Sequence, residues 1–424
     1  MTVPETAHAP DTFSSPTVTW LGFSFRKEAV RAVLTAYLVT RAMALFITFI
    51  SSIVIPMESG PFSYADPNNI VLDGLIRFDS WWYTNIVEHG YNLGNIETQQ
   101  QGNVAFFPLY PLLVRMIAGL TGNVFVAGVL VSHVALLVAL GFLYALTQLE
   151  FDDQTAGRAV FYLASAPTSI FFSAMYTESL FVALVTATFF YARTAQWHRA
   201  ALTGALAAAT RNTGVLLAAV IALEGMHQQG FRIVPSSWRP AGLVHHVRTQ
   251  LTTVVRSWRS LLAAAFVPVG LIAFMAYLSN TFGDPLAFIH VQATFGRDVS
   301  TSGAANLLST TITRLNFGPG FFAGQTNPRT VVDTLATLGF GFLVVALPFK
   351  LRPAHVIFTA LTLLVPLASG TVSSMTRYVL MLVPCFMLLA YWGRREWVDR
   401  LVMGIFLPLM AYFTVLFSHW YFAG

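Results

Sequence analysis

The sequence contains few charged residues. Only 10% of its 424 residues are Asp, Glu, Lys or Arg, whereas 55% are hydrophobic. A soluble globular domain carries about 25% charged residues, so this composition excludes an ordinary soluble domain. Several apolar runs are long enough to cross a hydrocarbon core about 30 Å thick, and they are continuous, unlike the alternating strands of a membrane β-barrel. We predict an all-α polytopic membrane protein.

Cysteine and lysine are nearly absent. Cys385 is the only cysteine, which excludes disulfides and cysteine-ligated zinc, and its apolar neighbours indicate a packing residue. Lysine occurs only at Lys27 and Lys350, a bias typical of a GC-rich bacterial genome. The net charge is +5, but the basic residues are scattered at helix ends, which favours topology signals over a nucleic-acid-binding surface. We therefore predict a bacterial plasma-membrane protein that does not bind nucleic acid.

Common catalytic fingerprints are also missing. The sequence has no HExxH, GxSxG, Walker A or dinucleotide-binding pattern, which removes most common enzyme classes. His133 and His419 are too far apart in sequence to indicate a metal site. We predict neither a metal nor another cofactor.

The basic residues predict the topology. Arg26, Lys27 and Arg31 precede the first span and place the N-terminus inside, while residues 227–259 contain five arginines and no acid and form a predicted cytoplasmic loop. Residues 1–25 lack the apolar core of a signal peptide, so we expect a flexible cytoplasmic tail before a single integral-membrane domain at 26–424. About eleven crossings would place every basic cluster inside and leave outer loops at 56–121 and 282–330.

Two apolar segments are unlike simple crossings. Residues 105–120 are short and contain two prolines and Arg115, which predicts an interfacial or half-inserted helix. One helix over 199–226 would bury Arg211 near its middle, so we predict two short helices that meet there, an arrangement tolerated where it lines a cavity. The remaining spans are predicted at 31–55, 122–149, 155–173, 176–195, 260–281, 331–350, 353–371, 375–393 and 399–420.

The first outer loop contains a carboxylate, Asp79, between Arg77 and the aromatic run Trp81, Trp82 and Tyr83. Such a carboxylate at the edge of a bilayer is costly unless it is used. The alternative is an interfacial aromatic belt with a stray acid. Asp79 has no cationic neighbour in sequence other than Arg77, and we therefore take it as the candidate general base. A lone carboxylate does not favour a metal site.

Two arginines are candidate ligands for an anion. Arg211 needs a partner, and the nearest acid in sequence, Glu224, is several turns away, which favours an anionic ligand such as phosphate over a structural partner. Arg377 is a second candidate, although it begins a predicted helix and could instead snorkel to the interface. Glu178 could be functional or only a first-turn acid stabilised by the helix dipole. His290, Gln292 and Arg297 belong to a polar loop predicted to close over a substrate.

Six motifs, in this order along the chain, together resemble the PIG-V-like mannosyltransferases, the family of the second mannosyltransferase of GPI-anchor assembly and its bacterial relatives. They are Arg77-Phe78-Asp79 with Trp82-Tyr83 and Gly90-Tyr91, the run 105–111, the run 167–178, Arg211-Asn212 with Gly214, Gly283-Asp284-Pro285 with Phe288 and Gln292, and Arg377-Tyr378. Phe78 is a departure, because eukaryotic members usually have Trp there.

This resemblance implies a GT-C glycosyltransferase bundle with interfacial helices in the first outer loop, a polyprenyl-phosphate-mannose donor and Asp79 as catalytic acid or base. Arg211 and Arg377 would bind the donor phosphate. The other predicted substrate contacts are Arg77, Trp81, Trp82, Tyr83, His89, Tyr176, Glu178, Asn212, His290, Gln292 and Tyr378.

We expect an inverting transfer to a lipid-linked or cell-envelope glycan at the outer side of the membrane. This chemistry requires a base that deprotonates the acceptor and cations that stabilise the departing phosphate. The alternatives are a flippase or other transporter of lipid-linked sugars, and a non-catalytic scaffold subunit.

Overall fold

A computed structural model describes residues 17–20, 23–56, 65–66, 68–95, 98, 100–231, 249–297, 319–325, 328–368 and 371–421. These residues are mostly helical, as predicted. The exception is a small antiparallel hairpin of two strands, β1 (Thr17–Trp20) and β2 (Phe23–Arg26). The hairpin corrects the end of the predicted flexible tail at 1–25, and residues 1–16 of that tail lie outside the described residues.

Eighteen helices are numbered here in chain order within the described residues. They are α1 (Lys27–Val54), α2 (Ile70–Gly74), α3 (Ser80–His89), α4 (Leu109–Thr121), α5 (Val124–Glu150), α6 (Asp153–Ala164), α7 (Glu178–Arg193), α8 (Trp197–Ala208), α9 (Leu217–Gln228), α10 (Trp258–Phe266), α11 (Val269–Phe282), α12 (Ala287–His290), α13 (Pro319–Phe322), α14 (Pro328–Ala346), α15 (Pro353–Ala368), α16 (Met375–Tyr378), α17 (Val383–Trp392) and α18 (Glu396–Ser418).

Five helical segments of the described chain are long and apolar enough to cross a membrane. One bent pair of helices, Met375–Met381 and Val383–Trp392, would form a sixth span if its two halves, which meet at 78°, cross together. The predicted count of about eleven crossings is not confirmed by this criterion. The reason is physical, because α6 to α9 contain only 12 to 16 residues each. At 1.5 Å per residue, such helices are shorter than a hydrocarbon core of about 30 Å.

The chain breaks at Arg211, as predicted. Helix α8 ends at Ala208, a 3-10 turn follows at Asn212–Leu216, and α9 begins at Leu217. Gly214 makes the tight return possible, because a Cβ atom at that position would collide with the backbone of Ala207. The break therefore places Arg211 between two short helices.

The predicted interfacial or half-inserted segment at 105–120 contains a short helix, α4. It has 13 residues and buries Tyr110 and Val114 on one side. On the other side Met116 is 69% exposed and Leu120 is 84% exposed. A short helix with one apolar face against protein and another apolar face uncovered suits the boundary between headgroups and acyl chains.

The core of the bundle lies around α5, α6, α7 and α17. Small and aliphatic side chains such as Ala139, Leu143 and Val185 are fully buried there, and Cys385 is buried in the same cluster. Close packing of small residues lets these helices approach one another in a lipid environment. The ends of α7 lie at opposite ends of this core, and its first residue, Glu178, belongs to the site described next.

Candidate active site

Four charged side chains from distant parts of the chain meet in one cluster, the site tetrad, which consists of Asp79, Glu178, Arg211 and Arg377. Arg377 Nη1 lies 2.5 Å from Asp79 Oδ2, and Arg211 Nη1 lies 2.9 Å from Glu178 Oε1. Arg377 Nε lies 3.5 Å from the same Glu178 oxygen. Two acids and two arginines give the cluster no formal net charge, and this pairing lowers the free-energy cost of its partial burial.

Asp79 is held by the backbone around it. Phe78 adopts a positive φ of 49°, a strained conformation for a non-glycine residue. Its ring is held against Phe417 and Trp420, with centroids 5.9 and 5.4 Å away. The Asp79 amide donates a hydrogen bond to the Tyr176 hydroxyl at 3.0 Å. The strained turn therefore places the Asp79 carboxylate at the start of α3 in a fixed position.

Tyr83, Tyr176 and Tyr378 surround the site tetrad. The Arg211 guanidinium lies 5.3 Å from the Tyr378 ring centre, and the Arg377 guanidinium lies 5.6 Å from that of Tyr176. Burial, followed by the nearby carboxylates, raises the pKa of Tyr83 above its ordinary value, and burial also raises the pKa of Tyr176. Both hydroxyls therefore stay protonated at neutral pH, and they donate to Thr177 Oγ1 at 3.5 Å and to the backbone carbonyl of Arg77 at 3.2 Å, respectively.

The four charged side chains differ in exposure. The Asp79 side chain is 24% exposed and that of Arg211 is 18% exposed, whereas Glu178 is 1% and Arg377 is 9% exposed. Glu178 Oε2 and Arg377 Nε are buried and have no hydrogen-bond partner within the described part of the chain. Asp79 and Arg211 are thus the more exposed acid and arginine of the cluster. The more buried pair, Glu178 and Arg377, contains the two atoms without a hydrogen-bond partner.

The structure corrects the prediction that Arg77 is the cation beside Asp79. Arg77 is buried and its Nη2 lies 2.7 Å from Asp73 Oδ2. Its Nε donates to the backbone carbonyl of Ser418 at 3.0 Å. Helix α2 ends at Gly74, and the turn that follows brings the Arg77 side chain back against Asp73 on that helix. Arg77 therefore packs the predicted outer loop against the end of α18, and its guanidinium is not open to a substrate.

The structure also corrects the premise that Arg211 lacks an acid partner. Glu178 supplies one, 33 residues away in sequence, and Thr177 Oγ1 accepts a second hydrogen bond at 3.1 Å. Glu224, the nearest acid in sequence, belongs to another cluster. Arg377 is buried and does not snorkel to an interface. Glu178 is both the first residue of α7 and the carboxylate shared by the two arginines.

The predicted loop contacts are spread more widely. Trp82 stacks on Phe106 at 5.7 Å and meets Phe295 edge-on at 5.8 Å, which joins the two predicted outer loops. His290 Nδ1 lies 2.7 Å from Asp284 Oδ2 on its own loop. Three further residues predicted to contact the substrate are exposed: Trp81, His89 and Asn212. Gln292 is half-buried.

Two more residues shape the site: Arg297, from the polar loop predicted to close over a substrate, and Asp333, which sequence reasoning missed. Arg297 lies over the Tyr378 ring at 5.4 Å. Asp333, on α14, accepts hydrogen bonds from the backbone amides of Ser374 and Thr376 at 3.2 and 2.9 Å, just before Arg377. A lone acid inside an apolar span is a signal that could have identified Asp333.

The site contains no obvious set of metal ligands. Within the described ranges, no three His, Cys, Asp or Glu side chains cluster in a way that could hold a metal ion. Its carboxylates are paired with arginines, which can themselves neutralise an anion such as phosphate.

Comparison with known proteins identifies relatives of the chain. GPI mannosyltransferase 2 from Drosophila pseudoobscura pseudoobscura is 33% identical over 138 residues, which cover 30% of this chain and 29% of that protein. The chain therefore spans less than a third of the length of this curated relative.

Among solved structures, the chain is similar to the oligosaccharyltransferase of Archaeoglobus fulgidus. For the apo form the TM-score is 0.45 at 14% identity, over 92% of this chain and 55% of that one. For the form tethered with an acceptor peptide the TM-score is 0.47 at 13% identity, over 92% and 55%. Residues 29–283, more than half of the chain, match the mannosyltransferase (PIG-V) family, and the chain belongs to that family.

Proposed function

We propose that this protein is a membrane glycosyltransferase that moves mannose, or a related hexose, from a polyprenyl-phosphate sugar to a hydroxyl of a lipid-linked or cell-envelope glycan. Family membership supports the reaction class. The observation that carries the proposal is the site tetrad, in which the most exposed member is a carboxylate, Asp79, bonded to the buried Arg377. A base and an anion-binding cation thus lie side by side.

Asp79 is the general base of the proposed reaction. Its carboxylate takes the proton of the acceptor hydroxyl while that oxygen forms a bond to the anomeric carbon of the donor sugar. The bond from the anomeric carbon to the phosphate oxygen breaks, and its electron pair leaves with the polyprenyl phosphate. A single displacement of this kind inverts the anomeric configuration.

The charges of the site fit this step. Asp79 loses its negative charge on accepting the proton, and the leaving phosphate gains one, so the total charge of the site is unchanged. Arg377 Nη1 lies 2.5 Å from Asp79 Oδ2 before the reaction, and its Nε lies 3.5 Å from Glu178 Oε1. It can therefore follow the negative charge from the carboxylate to the phosphate, which is the electrostatic stabilisation that phosphate departure requires.

Arg211 is the proposed second ligand of the donor phosphate. Its side chain is the more exposed of the two arginines, and Glu178 and Thr177 hold its guanidinium from below. A guanidinium held on one edge keeps its other donors available for a phosphate oxygen. Glu178 is proposed to orient both arginines without touching the substrate.

The proposed location is a bacterial plasma membrane, with the site tetrad at the outer side. The supporting observation is that Arg193 and Arg352 lie at the opposite end of α7 from Glu178, together with the basic residues that the positive-inside rule assigns to the cytoplasm. A cysteine at Ser236, which lies outside the described residues, tests this orientation with Cys385 replaced. We expect labelling only after the membrane is opened; labelling in intact cells would reverse the assignment.

Purified protein incubated with radiolabelled polyprenyl-phosphate-mannose and a membrane lipid extract tests the activity. We expect the label to move to a new lipid or glycan, and an Asp79→Asn variant to abolish the transfer. Movement of intact donor across a vesicle membrane without sugar transfer would instead identify a flippase.

A further inference from the structure

An apolar groove of about 1090 Å³ lies between α14, α17 and α18, and one of its ends reaches Thr376, the neighbour of Arg377. Phe386 and Phe406 are buried along its floor. Two of its lining residues, Phe342 and Leu401, are 65% and 52% exposed, so one side of the groove is open to the surrounding lipid. An apolar groove of this kind in a membrane protein accommodates a hydrocarbon chain.

The polar lining residues differ between the two ends of the groove. Thr168 and Thr376 line one end, and Lys350, Arg394 and Arg395 line the other. The lining contains three basic residues and no acid. An apolar channel with one cationic mouth is complementary to a molecule that has an apolar chain and an anionic head.

Two of the three cations at the mouth are available. Arg394 is paired with Asp152. Lys350 and Arg395 are exposed, and neither has a carboxylate partner among the residues that the structure describes. Lys350 Nζ lies 4.9 Å from the ring centre of Tyr391, a contact that leaves its charge uncompensated. These two side chains can therefore bind an anion without breaking an existing ion pair.

The cationic mouth is distinct from the proposed donor-phosphate site. Arg395 precedes the first residue of α18, whereas Ser418, the last residue of α18, accepts a hydrogen bond from Arg77, two residues from Asp79. The 23 residues of α18 span about 35 Å at 1.5 Å per residue. An anion on Lys350 and Arg395 thus lies at the opposite membrane face from the site tetrad.

We propose that this groove is a binding site for an anionic phospholipid of the leaflet opposite the catalytic site. One acyl chain lies in the groove, and the phosphate of the headgroup lies on Lys350 and Arg395. Basic pockets between helices at the cytoplasmic face attract acidic lipid headgroups by this combination of apolar packing and charge. The bound lipid fills the space between α14, α17 and α18, and the site is independent of the proposed transfer reaction.

Native mass spectrometry of the full chain, purified in neutral detergent, tests the site with two probes. The probes are phosphatidylglycerol and phosphatidylcholine with identical acyl chains. We expect one phosphatidylglycerol molecule to be retained with a preference on the order of tenfold over phosphatidylcholine at low salt. Equal retention of the two lipids would overturn the proposal.

Charge variants test the mouth. The double variant Lys350→Gln with Arg395→Gln should lose most of the preference. The matched control, Arg259→Gln with Arg400→Gln, removes two exposed basic residues that do not line the groove and should keep the preference. If both double variants lost the preference for phosphatidylglycerol equally, the preference would depend only on the overall charge of the protein, and this result would contradict a defined site.

A filled groove gives a second test that does not change charge. Gly339 lines the groove, and a Cβ added there meets no heavy atom within 4 Å, so Gly339→Phe can occupy the groove. Gly341 on the same helix also has open space but does not line the groove, and Gly341→Phe is its control. We expect only Gly339→Phe to reduce lipid retention. Displacement of phosphatidylglycerol by equimolar polyprenyl phosphate would assign the groove to the donor chain and overturn the proposal.

Discussion

Two clusters of the same composition lie at the two ends of α7. The site tetrad contains its first residue, Glu178, and a second tetrad contains its last, Arg193. In the second tetrad, Arg193 Nε lies 2.9 Å from Glu150 Oε1, and Arg352 Nη1 lies 3.1 Å from Glu224 Oε1. Each cluster therefore consists of two carboxylates and two arginines without formal net charge.

The two tetrads differ in which sign of charge is exposed. In the second tetrad the acids Glu150 and Glu224 are 8% and 4% exposed, and both arginines are 26% exposed. All of its acids come from the last turns of regular helices. In the site tetrad the most exposed member is Asp79, which follows a strained residue. From this comparison we propose a structural role for the second tetrad, and we base the proposed reactivity of the site tetrad on its open acid after a strained residue.

The largest expected effect is on activity, at Asp79. Asp79→Asn preserves the shape and removes the base, so turnover should fall about 100-fold or more. The measurement is sugar transfer by protein with a normal elution profile. The control is Asp66→Asn in the same predicted outer loop, which should remain near full activity. Near-full activity of the Asp79 variant would contradict the proposed role and direct attention to Asp66, Asp73 or Glu178.

The next effect, at Arg211, combines binding and stability. Arg211→Lys keeps the charge and loses the planar fork, so donor KM should rise roughly 10-fold. Because Glu178 is an actual partner of Arg211, we also expect a lower Tm with or without donor. Arg199→Lys, an exposed change on α8, is the control and should alter neither. A reduced Tm with unchanged donor affinity would make the site tetrad as purely structural as the second one.

The smallest expected effect on activity is in the second tetrad. Glu224→Gln leaves Arg193 and Arg352 with Glu150 as their remaining carboxylate partner in the second tetrad, and because both arginines are also partly exposed, we expect a stability loss of about 1–3 kcal/mol. Thermal unfolding in one detergent measures the loss, and transfer per folded molecule should stay within about twofold of the parent. A fall in activity as large as that of the Asp79 variant would remove the distinction between the tetrads.

Much of the site could be predicted from sequence because its residues are chemically unusual in an apolar chain. Asp79, Glu178, Arg211 and Arg377 each stand out as a charge near a membrane boundary. Their pairing could not be predicted, since Asp79 and Arg377 are 298 residues apart. Arg77 was the nearest cation in sequence, and local turn geometry pairs it with Asp73 instead.

The fold shows the same division between local and long-range information. The break at Arg211 was predictable, because a guanidinium in the middle of a span is costly. The number of crossings was not, because the lengths of α6 to α9 depend on helices packed around them. Phe78 could not be identified as strained, since its positive φ is imposed by contacts with Phe417 and Trp420 near the end of the chain.

The length of α7 has a consequence for the depth of the reaction. Its 16 residues separate the two tetrads by about 24 Å, which is less than the hydrocarbon thickness of about 30 Å. Both clusters cannot lie at headgroup level, and a tilt of the helix only increases the mismatch. If α7 lies along the membrane normal with the second tetrad at one interface, we expect Asp79 to lie several ångströms below the opposite headgroups. At that depth, the proposed reaction would favour an acceptor hydroxyl carried by a lipid, which can reach the carboxylate by lateral diffusion within the leaflet, whereas a water-soluble glycan would first have to leave its hydration shell.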